Sequence, residues 1–366
     1  MLGIQKAKNT LEKLVKVQRL TDGINWQTNK HYFPDNFINC AKLTQNNVDV
    51  VDADLLILIR PLMGMEPYQG ITYPITKIIR HIDDKQINRP FLATIVFQYA
   101  LTGDNNAQIQ DISTLFLHQF THILGFNKTI FDNLGKISRV ETKNRWNSIN
   151  NTKLFFTGST ALTEARKYFG CPSLPGIELD ESNEKEFDDG SMIHWSERLL
   201  LGDYMTTRPY FTEQSISEIT LAALEDLGWY KVNYYTGGLM RFGKNKGCTF
   251  FTSDCIEGVT GVSGVKTKFS NEFCSNIYGS ETGNFGTCSS GRQSMSFCYN
   301  TYSQGDIDYD YTRKNINTNK GFSESKLIEY CPFSRSVVNL KEGKTLNYNQ
   351  DKIKNQYNLN KNYLRF

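Results

Sequence analysis

His118 and His122 stand four residues apart in the segment HQFTHILGF, residues 118–126. On a helix, positions i and i+4 lie on one face, so two ring nitrogens would sit side by side. A zinc site asks for neutral imidazoles converging to about 2.0–2.1 Å from the ion. The segment departs by one residue from H-E-x-x-H, in which two histidines hold zinc and the glutamate is the general base of metal-assisted hydrolysis. Here Gln119 stands in the base position. Taken alone the pair is weak evidence, because two ordinary histidines on a polar helix face would read the same way. Gly125 is equally open: it is either a plain C-cap or a sharp turn that lets a third ligand approach.

Two more residues extend the pattern. The chain has five histidines, and one of them, His194, lies in GSMIHWSERLLLGDYMTT. Met205 follows it in the same segment, as a methionine turn beneath a metal would require; a core methionine is the commoner fate of that residue. Trp195, beside His194, suits either a wall of the site or the core. Arg198 reads as a structural ion-pair partner rather than a substrate contact.

These residues need elements to hold them. Ile109, Ile112, Phe116, Phe120 and Ile123 form one helical stripe, which predicts a buried helix over 106–126 closed by Gly125. The runs VDVVDADLLILI and RPFLATIVFQYAL within 45–101 predict strands of a mixed sheet. Ile4, Ala7, Leu11, Leu14 and Val15 predict an amphipathic helix within residues 1–20. Residues 127–190 read as polar and irregular, with a short helix at 160–170 and a solvated acidic loop at 178–189. SEITLAALEDLGW, residues 217–229, predicts a helix ending at Gly228. Beyond 235, Gly, Asn, Ser and Cys dominate, and the Lys- and Asn-rich tail, 340–366, predicts poor order. The fold class expected is α+β.

Composition narrows the function. Among 366 residues, 41 Lys and Arg face 38 Asp and Glu, a net charge of +3. With no dense basic run there is no footprint for nucleic acid. No apolar stretch is long enough for a spanning helix. The first twenty residues lack the apolar centre of a signal peptide, which leaves a cytosolic chain or one whose targeting segment lies upstream. Of eight cysteines, Cys40 and Cys171 stand apart, while Cys248, Cys255, Cys274, Cys288, Cys298 and Cys331 crowd the last third. That clustering suggests disulfides, with free thiols the alternative; no C-x-x-C pair suggests a cysteine zinc site. NKT (127–129) and NNT (150–152) are glycosylation sequons.

The sequence resembles the leishmanolysin family of surface and secreted zinc endopeptidases, within the metzincins. The resemblance rests on the histidine segment and on GCPSLPGIELD (170–180), GSMIHWSERLLLGDYMT (190–206), ITLAALEDLGWYKVNY (219–234), GC at 247–248, FC at 273–274 and YCPF (330–333), in the family's order. VDADLLILI and RPLMG match the strands and turn before the metal helix. The matched region runs over roughly residues 5–335.

The resemblance implies zinc held by His118, His122 and His194, Met205 as the turn methionine, and disulfides among the C-terminal cysteines. It implies a metzincin core with a long insertion: a catalytic subdomain at 1–126, a central subdomain at 127–235 carrying the third histidine and the methionine, a Cys-rich domain at 236–335 and a tail at 336–366. It implies peptide or protein substrates, a cell-surface or extracellular location, and contact with a membrane surface. The family's blocking propeptide cysteine has no counterpart here, Cys40 lying inside the matched region. The family's catalytic glutamate falls on Gln119, which predicts a zinc-binding protein with little or no peptidase activity. Rescue by another carboxylate, Glu178 or Glu197, would restore an active peptidase. Two further readings are a non-catalytic peptide-binding or adhesion module and a metal-free structural subunit.

Overall fold

The structure is a computed structural model. It describes residues 2–17, 106–143, 150–180, 192–207, 215–234 and 240–253, and shorter stretches at 24–25, 50–51, 54–62, 75–79, 89–90, 92–98, 255–260, 264–267, 272–273, 285–288, 295–299, 331, 333–336, 338–339 and 344–345.

The chain opens with helix α1 (Leu2–Leu14), which passes directly into strand β1 (Val15–Val17). Ala7 and Leu14 are buried, and Ile4, Leu11 and Val15 pack partly buried against the same core. The amphipathic stripe is thus real but ends earlier than expected, because Val15 leaves the helix to pair with a distant strand. Strands β2 (Ile24–Asn25) and β3 (Val50–Val51) form a short antiparallel pair. The two apolar runs become β4 (Leu56–Leu62) and β6 (Leu92–Gln98), which pair in parallel, with β5 (Ile75–Ile79) antiparallel on the other side of β6. This is the mixed sheet the sequence predicts. Residues 60–62 of RPLMG continue β4 rather than turning. Pro61 is tolerated there because β4 is an edge strand.

Helix α2 (Asn106–Leu124) carries the histidine pair. Leu115 through Phe126 are all buried, so the part of the helix that carries the histidines presents no polar face to solvent. It packs against α1. Burying side chains such as Phe116, Phe120 and Ile123 contributes about 1.5–3 kcal/mol each, which anchors the helix despite the polar groups it takes inside.

In the region expected to be irregular, the described residues form regular elements. Helix α3 (Lys128–Asn133) is followed by strands β7 (Ile137–Lys143) and β8 (Asn150–Phe156), helix α4 (Ser159–Phe169), and strands β9 (Ile177–Asp180) and β10 (His194–Trp195). The four strands form one antiparallel sheet in the order β10-β9-β8-β7. No apolar–polar alternation marks β7, because Ser138, Arg139, Val140 and Glu141 are all exposed, and in β8 only Leu154 and Phe156 are buried among the described residues. Residues 178–180 of the acidic segment lie in β9, not in a loop; 181–189 fall outside the described residues, as does the tail apart from 344–345.

Helices α5 (Glu197–Leu200) and α6 (Glu218–Glu225) follow, then β11 (Tyr230–Val232). Ser217 caps α6 by accepting the Thr220 N–H at 3.1 Å. Strand β11 pairs with β1, Val15 opposite Val232, which ties the two ends of this unit together. Helix α7 (Thr249–Thr252), the hairpin β12 (Ile256–Thr260) and β13 (Gly264–Thr267), and the sheet β14 (Phe285–Cys288), β15 (Met295–Tyr299) and β16 (Phe333–Ser336) complete the C-terminal part.

Two disulfides appear among the described residues: Cys171–Cys248 and Cys255–Cys331. Cys171 therefore does not stand apart. It is buried at the end of α4 and crosses to the Cys-rich segment, a partner 77 residues away that spacing alone does not reveal. Cys40 and Cys274 lie outside the described residues.

The sequon at Asn127 is not a surface site. Its side chain is 3% exposed and its Oδ1 caps α3, accepting the Thr129 and Ile130 N–H groups at 2.9 and 3.3 Å. In the other sequon, Asn150 pairs with Lys143 in the β7–β8 ladder.

Candidate metal centre

The structure brings His118, His122 and His194 into one buried cluster. The first two come from α2, as their spacing requires. The third comes from β10, 72 residues beyond His122, placed by antiparallel pairing of His194 with Asp180 and Trp195 with Leu179. The three rings are 4%, 1% and 3% exposed, which rules out polar-face histidines.

The nitrogens that converge are the three Nε2 atoms. His122 lies 3.0 Å from His118 and 3.2 Å from His194, and His194 lies 3.2 Å from His118. A tetrahedral zinc with bonds of about 2.0–2.1 Å needs ligand nitrogens about 3.3–3.4 Å apart. The triangle is within a few tenths of an ångström of that demand.

Tautomers sharpen the case. His118 Nδ1 lies 2.6 Å from the Tyr204 carbonyl oxygen, and His122 Nδ1 lies 2.8 Å from the Phe126 carbonyl oxygen. A carbonyl only accepts, so each Nδ1 carries the proton and each Nε2 presents a lone pair. Lone pairs facing each other at about 3 Å repel unless a cation lies between them. The donor set therefore fits a metal ion, and a backbone carbonyl behind a ligand histidine is how proteins fix ring orientation. His194 Nδ1 is buried with no hydrogen-bond partner among the described residues.

Burial also keeps these rings neutral. It pulls His118 down to about 4, against a smaller opposing effect of the Tyr204 carbonyl. It pulls His122 down to about 3, helped by the neighbouring His118. His194 falls well below its ordinary value, again by burial first and then by the other two rings. Neutral imidazole is the form that binds metal.

Gly125 does more than end the helix. Its N–H donates to the His122 carbonyl at 3.0 Å, and the Phe126 N–H donates to the Thr121 carbonyl at 3.1 Å. That is the Schellman pattern, and it turns the Phe126 carbonyl back onto the His122 ring. Gly125 has φ +125°, and a Cβ there would lie 2.8 Å from Leu227 Cδ1 and 3.1 Å from Trp229 Cζ3. Gly125 is thus the C-cap, and its turn places the acceptor behind His122.

Met205 is fully buried in a tight turn. The Met205 N–H donates to Asp203 Oδ1 at 2.7 Å, and its carbonyl accepts the Trp195 N–H at 3.0 Å. Beside it, the Tyr204 hydroxyl meets Thr121 Oγ1 at 3.0 Å; since Thr121 donates to the Leu117 carbonyl, Tyr204 donates to Thr121. Sequence reasoning missed Tyr204, Thr121 and Asp203. The polar residues packed into DYM and HQFTH are the only trace they leave, and the two backbone acceptors leave none.

The remaining expectations divide. Trp195 lies behind the site in the core, edge-on to Phe126 and Phe156 at 4.9 and 5.8 Å. Arg198 is structural: its Nη2 donates to the Phe250 and Ser253 carbonyls at 3.1 and 2.9 Å, and its guanidinium lies over Phe250 and Phe273. Gln119 sits on α2 between His118 and His122 and is 4% exposed. Glu178 is engaged by Lys153 at 2.8 Å across β8 and β9. Glu197 is buried in the first turn of α5.

Comparison with known proteins agrees with this geometry. The family model described as leishmanolysin matches residues 48–361. A leishmanolysin homolog of Crithidia fasciculata is 32% identical over 180 residues, 47% of this chain and 25% of that protein. A leishmanolysin-like peptidase of Caenorhabditis elegans is 30% identical over 181 residues, 46% and 26% of the two chains. Leishmanolysin of Leishmania amazonensis is 28% identical over 167 residues, 44% and 25%. The matched part spans about a quarter of the length of these curated relatives. With its three converging histidines and a family match across most of its length, the chain belongs to the leishmanolysin family.

Proposed function

We propose that this protein binds one zinc ion through His118, His122 and His194, above a methionine turn at Met205, and cleaves peptides slowly or not at all. The observation that carries the metal reading is the triangle of Nε2 lone pairs, two of them fixed by backbone acceptors. Zinc held there supplies Lewis acidity, polarising a peptide carbonyl and acidifying water.

Gln119 carries the reading of weak activity. Its amide oxygen can accept a hydrogen bond from an attacking water, and its NH₂ can donate one. It cannot take the water's proton and hand it to the leaving amine. Glu178 is a poor substitute, because an ion pair with Lys153 already engages its carboxylate. Gln119 binds no metal in this scheme, so the change removes the base and spares the ion.

The proposal extends to a metzincin core divided at residues 126, 235 and 335, to peptide or protein ligands, and to a place outside the cell or at its surface, where the disulfides would be stable. No helix among the described residues is long and apolar enough to cross a membrane. The test pairs metal analysis with a peptide-cleavage assay on the wild type and Gln119→Glu. One zinc per chain, little wild-type cleavage and clear cleavage by the variant are expected. Folded protein without zinc would overturn the ligand assignment, and wild-type cleavage equal to that of the variant would overturn the role given to Gln119.

A further inference from the structure

We propose that Asp203 is a positioning residue of the metal centre, a single buried carboxylate that couples the first and third histidines without touching either; the inference rests on the metal reading above. Asp203 is fully buried. Its carboxylate accepts the Met205 N–H at 2.7 Å and the Thr220 hydroxyl at 2.9–3.0 Å. Two paths run from it.

The first path is through the turn. Holding the Met205 N–H fixes the peptide between Tyr204 and Met205, and the carbonyl of that same peptide faces His118 Nδ1. The position of the His118 acceptor is thus set by the Asp203 carboxylate on the other side of one rigid peptide plane. The second path is through Thr220. Its hydroxyl proton goes to Asp203, which leaves its oxygen to accept the Trp195 indole N–H at 2.8 Å. Trp195 adjoins His194, and its backbone N–H also reaches the Met205 carbonyl. The turn, the third-ligand strand and the first turn of α6 therefore close on one carboxylate.

Buried polar networks of this kind hold geometry only when every member is satisfied. Burial raises the Asp203 carboxyl to about 6, while hydrogen bonds from Ser217, Met205 and Thr220 pull the other way. The donors thus favour the ionised acceptor that the paths require.

The decisive variant is Thr220→Val, which keeps the shape, removes the hydroxyl, cuts the second path and takes a donor from the carboxylate that anchors the first; Thr220→Ser keeps the hydroxyl. Tyr168→Phe is the control, since it deletes a buried hydrogen bond of ordinary length, 2.9 Å to the Phe242 carbonyl, away from the site. The full chain is titrated with zinc against a competing chelator, and with cobalt(II) for its ligand-field spectrum. The His118 Nδ1–H resonance is followed in metal-free protein labelled at histidine. Thr220→Val is expected to raise Kd for zinc about tenfold, alter the cobalt spectrum and speed exchange of the His118 Nδ1–H. Thr220→Ser restores all three, and Tyr168→Phe changes none. Unchanged affinity, spectrum and exchange in Thr220→Val would overturn the proposal. If the wild type bound no metal, the zinc reading would fail, and the histidine resonance alone would still decide the role of Asp203.

Discussion

Tyr204 holds His118 through its backbone and α2 through its side chain. The Tyr204 carbonyl oxygen lies 2.6 Å from His118 Nδ1, while its hydroxyl reaches Thr121, one turn along the same helix. The two contacts separate cleanly by mutation. Tyr204→Phe keeps the carbonyl and loses only the hydroxyl. It should cost about 0.5–1.5 kcal/mol of stability while leaving zinc affinity within roughly threefold of wild type, since the ligand's own acceptor remains. Denaturant unfolding and chelator competition on the same preparation check it, and a large loss of affinity would show that the hydroxyl, not the carbonyl, holds the ligand.

General acid–base catalysis contributes on the order of 10²–10⁴ in rate. Gln119→Glu should therefore raise kcat/KM for an unstructured peptide by about that factor with zinc content unchanged. Stopped assays at several peptide concentrations measure it. A gain below about tenfold would mean that another group already serves as the base.

Acid should weaken this fold. His118 and His122 sit at about 4 and about 3, below the ordinary 6.5 of the unfolded chain. Their contribution is whole above 6.5 and is lost as pH falls toward those values. His194 has the same sign. Asp203 runs the other way: raised from 3.8 to about 6, its contribution is present below 3.8 and lost as pH rises through 6. Between pH 6.5 and 4, three imidazoles oppose one carboxylate, so Tm of the metal-free protein should fall on acidification. A Tm that rises steadily from pH 6.5 to 4 would contradict this balance.

Gly125→Ala should be costly for two reasons that add. A side chain at φ +125° is strained, and its Cβ would press on Leu227 and Trp229. About 2–4 kcal/mol of lost stability is expected. Since the same turn aims the Phe126 carbonyl at His122, zinc affinity should fall as well. Wild-type stability and affinity in Gly125→Ala would show that the turn tolerates a side chain.

Breaking the Cys171–Cys248 bridge with paired serines should cost about 2–5 kcal/mol. The bridge ties the end of α4 to the segment that carries α7, whose Phe250 carbonyl accepts from Arg198. Thermal unfolding under oxidising conditions measures the loss, and an unchanged Tm would mean that packing alone holds this junction.

Much of this was legible in the sequence because it depends on local spacing. The i, i+4 histidines and the stripe from Ile109 to Ile123 each follow from helix geometry. The two apolar runs that became β4 and β6 were legible too, because Leu, Ile, Val and Phe dominate them despite Arg60, Thr94 and Gln98. Strands β7 and β8 were not legible, since four successive residues of β7, Ser138 to Glu141, are exposed and only Leu154 and Phe156 of β8 are buried among the described residues, so no alternation shows. The Cys171 bridge was hidden because pairing over such a distance depends on the whole fold. His194 was found through resemblance and not through spacing. Its orientation by β9, and the carbonyls behind His118 and His122, are backbone facts that no side-chain pattern encodes.

The pairing of β1 with β11 also sets a clock. Val232 is made roughly 200 residues after its partner Val15, a delay on the order of 10–40 s at about 5–20 residues per second. Until α2 emerges α1 has no partner helix, and even afterwards the clasp that secures it does not exist before β11 is made. A nascent chain of this protein should therefore carry an apolar helix face within reach of ribosome-associated chaperones until residue 232 has emerged, and the cluster of three histidines cannot assemble before His194 leaves the ribosome.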